Sequence, residues 1–149
     1  MSRWGCAMVS FAGLSQPGEL LGGMRLEQVY TRPERLRSGA GRTLQHWAGR
    51  LAAKRAVLRL LDVAETAEHL GQAEVLPRPT PMCSRSAVCL HGHPPDVRLS
   101  GALADAAGEK ERIRISISHT AACALAVALV SARLPEDDHL DGFDDEARR

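Results

Sequence analysis

Two side chains interrupt otherwise apolar patterns at places where chemistry could be done. The first is Lys54, inside the segment WAGRLAAKRAVLRLL (47–61). Trp47, Leu51, Lys54, Leu58 and Leu61 recur at spacings of four, three, four and three, which is one face of a helix. An ammonium at the centre of such a face must be paired, snorkel its head to solvent, or face a pocket that holds an anion. The second is His119, which ends the alternating run RIRISISH just before a turn. A histidine there can serve as acid, base or hydrogen-bond donor, or can satisfy a backbone group.

Other site chemistries find less support. Cys83, Cys89, His91 and His93 form a C-x5-C-x-H-x-H cluster whose spacing matches no standard zinc finger or knuckle, so no metal site is assigned. A glycine-rich phosphate loop with Lys and Ser/Thr is absent, and 3% aromatic content gives no stacking platform for single-stranded nucleic acid.

The elements that must position Lys54 and His119 can be read from pattern. Residues 5–11 (GCAMVSF) are a strand-length apolar run, and 19–37 read as a helix ending before TRPERLR. Ser38 to Arg42 form a glycine-rich joint, and Thr43 is a candidate N-cap for a long helix over 43–61. AEVLP (73–77) reads as a strand, and 87–101 as a hairpin across the Gly92–Pro95 turn. A short helix over 102–110 precedes two strands, RIRISISHT with apolar Ile113, Ile115 and Ile117, and the continuous run AACALAVALV. Strands and helices do not alternate regularly. The fold class expected is α+β, with a largely antiparallel sheet packed against the long helix.

One domain over 1–134 and an acidic, disordered tail over 135–149 account for the 149 residues. The tail carries seven acids and two arginines, leaving the body with 17 basic and 11 acidic side chains, a net of +6. Such a body suits an acidic partner, for which the tail itself would compete. No run of 18 apolar residues exists and the N-terminus makes a poor signal peptide, so a cytoplasmic location is expected, with Cys6, Cys83, Cys89 and Cys123 as free thiols.

In order, GCAMVSF, QVYTRPERL, RLAAKRAVLRLL, GHPPDVRLSG and ISISHTAACALAVAL resemble the ordered motifs of the small holo-acyl-carrier-protein synthase branch of the phosphopantetheinyl transferases. The resemblance spans residues 5–130. It implies a homotrimer with its site between subunits, coenzyme A as phosphopantetheine donor, and an acyl carrier protein as partner. It places Lys54 near the reacting groups, with His119, Thr120 and Arg59 lining the coenzyme A site. Arg32 and Arg50 fall near positions that meet the carrier protein. At the two magnesium-ligand positions of the family stand Ala7 and Arg55, which offer a hard cation no oxygen.

The reading that follows is a repurposed member acting on a carrier-bound acyl or polyketide chain, as a cyclase, dehydratase or isomerase, with Lys54 stabilising negative charge and His119 moving a proton. Two alternatives stand beside it. One is an active synthase in which Arg55 replaces the metal, and the other a non-catalytic carrier-binding protein. Neither nucleic acid nor membrane is expected as a partner.

Overall fold

A computed structural model describes residues 3–39, 43–78, 93–109 and 111–133. The elements are β1 (Trp4–Ser10), a 3-10 turn (Pro17–Leu20), α1 (Leu26–Val29), α2 (Arg32–Gly39), α3 (Leu44–Leu61), α4 (Ala67–Gly71), β2 (Ala73–Pro77), β3 (Pro95–Leu99), α5 (Gly101–Ala107), β4 (Glu111–His119) and β5 (Cys123–Ala132). The class is α+β, as expected. An antiparallel sheet in the order β1-β5-β4 packs one face on α3, and β2 and β3 form a separate antiparallel pair.

The long helix runs to Leu61, where Asp62 turns left-handed at φ 56° and its N–H caps carbonyls of the last turn. Ala48, Leu51, Ala52, Ala53, Ala56, Val57 and Leu60 are fully buried. Small residues let the sheet approach closely. A Cβ on Gly5 would lie 2.3 Å from the Ala56 carbonyl oxygen and 2.7 Å from the Leu60 nitrogen. Neither backbone can yield locally, so Gly5→Ala should force strand and helix apart, at a cost of about 1–3 kcal/mol. A denaturant midpoint unchanged from the parent would contradict that contact.

Two sequence expectations are corrected. Residues 19–37 are not one helix, because Gly22 takes φ +60° and breaks the chain into the 3-10 turn and α1. α1 does end before TRPERLR, but that segment begins a second helix rather than a loop. The Glu34 carboxylate accepts the Thr31 N–H at 2.8 Å, so Thr31-x-x-Glu34 caps the start of α2. The strand at 95–99 pairs with β2, Pro95 opposite Pro77 and Leu99 opposite Ala73. Residues 79–92, which carry the other half of the expected hairpin together with Cys83, Cys89 and His91, lie outside the described residues, as does the acidic segment.

The central strand is β5, yet it is buried on one face only. Ala124, Ala126 and Ala128 point into the core, while Leu125 and Leu129 are 45% and 51% exposed. They stand opposite Met8 and Trp4, with Val127 opposite Cys6 between them, so the outer face of the sheet carries a continuous apolar strip.

Candidate functional site

Lys54 does not face a cleft. Its ammonium is fully buried and its three donors are spent within the chain, on Glu34 Oε1 at 2.8 Å, the Leu70 carbonyl at 3.0 Å and the Ala73 carbonyl at 2.7 Å. The Tyr30 ring lies 5.5 Å below it. Burial pushes the Lys54 pKa down, and the Glu34 charge only partly offsets that. The sequence placed Lys54 on the buried face correctly, and of the three fates open to its ammonium the structure shows pairing within the chain.

Arg50, one helical turn earlier, behaves alike. Its Nε donates to the Val75 carbonyl at 3.0 Å and its Nη1 to the Ser38 hydroxyl. Glu34 Oε2 accepts the Val75 N–H at 3.0 Å, so Glu34 and Arg50 together hold both backbone groups of one β2 residue. Glu34 and Ser38 lie four apart on α2, Arg50 and Lys54 four apart on α3. This ladder of buried polar bonds fixes the two helices in register. Arg50 is 8% exposed, so its side chain is closed to a carrier protein, unlike Arg32, which lies on the exposed face of α2.

Tyr30 seals the ladder. Its hydroxyl donates to the Trp47 carbonyl at 2.9 Å, and its ring meets Trp47 edge-on at 5.0 Å. Burial pushes the phenol well above its ordinary range, with the Glu34 charge adding to the effect. A raised folded pKa means the folded chain keeps a proton that the unfolded chain releases. Stability from this group is therefore complete below about pH 10 and falls as pH rises past it. Tyr30→Phe should lose less stability than the parent between pH 9.5 and 11, although it starts lower by about 1 kcal/mol for the lost hydrogen bond. Parallel alkaline profiles would contradict this placement.

The surface of α3 differs. Arg55 and Arg59 stand one turn apart, Arg55 half-buried and Arg59 exposed. Arg55 Nε pairs with Glu65 Oε1 at 2.7 Å, and Arg59 Nη1 donates to the Cys6 carbonyl of β1 at 2.7 Å. Ala7, next along β1, is 2% exposed and faces the core. Glu65 is a signal the sequence reading missed, an acid ten residues after Arg55 brought back by the turn into α4. Among the described residues no group of three or more His, Cys, Asp or Glu could hold a metal ion. The donor set at Ala7 and Arg55 does not fit magnesium, because a methyl group and a guanidinium supply no oxygen and the nearby Glu65 is bound to the arginine.

His119 is exposed at the end of β4, its ring 6.5 Å from that of His46 on α3. His46 was not singled out from the sequence, since only the sheet-to-helix contact brings it there. Thr120 closes the β4–β5 turn, its hydroxyl accepting the N–H groups of Ala122 and Cys123 at 3.1 Å each. His119 lies by the first turn of α3, whereas Arg55 and Arg59 follow His46 by nine and thirteen residues, about 14 and 20 Å along the axis. His119 and Thr120 thus lie by one end of α3 and Arg59 near the other, with Arg50, Lys54 and Arg55 along the helix between them.

No protein-family model matches the sequence, and no curated protein matches it. The solved structures do. Mycobacterium tuberculosis acyl carrier protein synthase is 25% identical, with TM-score 0.59 over 87% of this chain and 96% of that one. The coenzyme A complex from Chronobacterium ammoniagenes is 24% identical, with TM-score 0.64 over 89% and 98%. Helicobacter pylori holo-[acyl-carrier-protein] synthase, solved with coenzyme A, is 24% identical, with TM-score 0.61 over 86% and 99%. The fold is that of the holo-acyl-carrier-protein synthases, and the resemblance to their superfamily drawn from the motifs holds. No helix of the described residues is long and apolar enough to cross a membrane.

Proposed function

We propose that this chain, built on the holo-acyl-carrier-protein synthase fold, binds coenzyme A, engages an acyl carrier protein, and transfers phosphopantetheine with arginines in place of a metal ion. One observation carries the reading. At one of the two positions where the resemblance implies a metal ligand the chain presents Arg55, and Arg59 stands one turn on along α3, bonded to the Cys6 carbonyl beside the other position, Ala7. Guanidinium groups hold phosphate oxygens through paired hydrogen bonds and offset their charge. In the transfer, a carrier serine oxygen bonds to the phosphorus that bears the pantetheine arm. The bond from that phosphorus to the 3′,5′-ADP oxygen breaks, and His119 takes the serine proton. The arginines stabilise the charge that gathers on the departing phosphate.

The separation of His119 and Thr120 from Arg55 and Arg59 suits a site shared between copies. The apolar strip of Trp4, Cys6, Met8, Leu125, Val127 and Leu129 is the face such copies would bury, and a homotrimer closed by rotation would join the opposite ends of neighbouring chains. Arg32 is the carrier-facing residue retained from the sequence reading. A second reading has one supporting observation, the pairing of half-buried His46 with exposed His119, which could do acid–base work on a carrier-bound chain without Lys54. Mixing the protein with apo carrier and coenzyme A and weighing the carrier by intact-mass spectrometry separates the two. A gain of one phosphopantetheine supports transfer. No gain, beside a working control synthase, removes it and leaves carrier-bound chains as the substrate class.

A further inference from the structure

The large apolar side chains exposed among the described residues are Trp4, Met8, Leu125, Leu129 and Leu36. The first four share the outer sheet face, and Leu36 stands apart on α2. It is 65% exposed, with Arg32 one turn before it and Arg37 beside it, both exposed. The opposite side of α2 is committed to the core through Glu34 and Ser38. No acidic side chain lies on the exposed side of α2, because its one acid is the buried Glu34. A small apolar knob between two cations on a rigidly held helix fits an acidic segment that offers apolar side chains of its own.

The chain contains such a segment. Residues 136–146 read EDDHLDGFDDE, seven acids around Leu140 and Phe143. We infer that this acidic segment docks on the outer face of α2 and there competes with the acyl carrier protein. The inference rests on the reading of α2 as the carrier's docking surface. Its reach is sufficient. Ala132 pairs with Glu111, the next residue Arg112 bonds Asp96 at 2.8 Å, and Asp96 stands opposite Leu76, beside the Val75 that Glu34 holds. Those steps reach Val75 in roughly 20–25 Å at strand spacing, and crossing α2 from there to its outer face adds about 10 Å, the width of a helix. The eight residues from Ala132 to Leu140 span about 26 Å when extended, and the eleven to Phe143 about 36 Å. Tethering sets an effective concentration near millimolar, so even weak rim contacts would fill the surface in part. Arg32 and Arg37 are exposed, so added salt should release the segment.

The test uses the full chain and a full-length variant, D137N/D138N/D141N/D144N/D145N. Hydrogen exchange of the α2 amides is compared between them at low and high salt, and apo-carrier affinity is measured for both by calorimetry. The expected result is α2 exchange about threefold slower in the parent and carrier affinity three- to tenfold higher in the variant, with both differences vanishing at high salt. Equal α2 exchange in the two proteins would overturn the docking. Unequal exchange with equal carrier affinity would overturn the competition while leaving the intramolecular contact in place. R32E/R37E, measured in the same assays, tests the underlying reading separately. Carrier affinity that survives this variant would show that the carrier docks elsewhere, whatever the acidic segment does.

Discussion

Lys54→Met will lower the stability of this protein by about 3–5 kcal/mol. The cause is what the substitution leaves behind. Glu34 is fully buried, and its carboxylate would lose its counter-charge without gaining water. The Leu70 and Ala73 carbonyls would lose their shared donor as well. The double variant Glu34→Gln/Lys54→Met carries no buried charge and should recover more than half of the loss, a coupling read directly from the mutant cycle. Equilibrium denaturation at neutral pH checks both. A cost under 1 kcal/mol for Lys54→Met would mean that the ammonium reaches solvent. The same variant, at a temperature where it remains folded, should bind coenzyme A like the parent, because Lys54 serves the register of α2 on α3 and its three donors are spent within the chain.

Arg55→Ala/Arg59→Ala should weaken coenzyme A binding about 100-fold while changing stability little. Each lost charge-assisted hydrogen bond to phosphate is worth about 1.5–3 kcal/mol, and the pair together therefore two orders of magnitude or more. The stability side is small because the pair Arg55 makes with Glu65 is partly exposed and solvent screens it. Calorimetric titration with coenzyme A and with 3′,5′-ADP measures the effect. Both ligands should lose affinity alike if the arginines hold the departing 5′-phosphate that both carry, and coenzyme A should lose more if they also hold the phosphate that bears the pantetheine arm. Unchanged affinity for both would place the nucleotide away from α3.

Much of this arrangement was legible before any coordinates. The four-three-four-three spacing around Lys54 marked α3 and its buried face, because helix periodicity repeats over 18 residues with no proline and only Gly49 to interrupt it. The alternating isoleucines marked β4 for the same reason. The first third of the chain was harder. Apolar residues scattered over 19–37 suggested one helix, but Gly22 in the left-handed region and the Thr31-x-x-Glu34 cap divide it. Local pattern gave no access to long-range partners. Lys54 finds Glu34 twenty residues upstream and the Leu70 and Ala73 carbonyls sixteen and nineteen residues downstream. Periodicity could say that the ammonium was buried, and only the tertiary fold says what neutralises it. Arg50 illustrates the limit of resemblance, since its side chain turns inward onto the Val75 carbonyl and the Ser38 hydroxyl. His46 and Glu65 carry no signal until the fold brings them to His119 and Arg55.

The central claim is that arginines stand where a metal would. The most direct measurement follows phosphopantetheine transfer from coenzyme A to an apo acyl carrier protein, by intact mass, with a strong chelator present and again with magnesium added. The result expected is the same rate in both, reduced in each by Arg55→Glu. Transfer that appears only with magnesium and stops with chelator would contradict the account, since nothing at Ala7 or Arg55 could then be holding the pyrophosphate unaided.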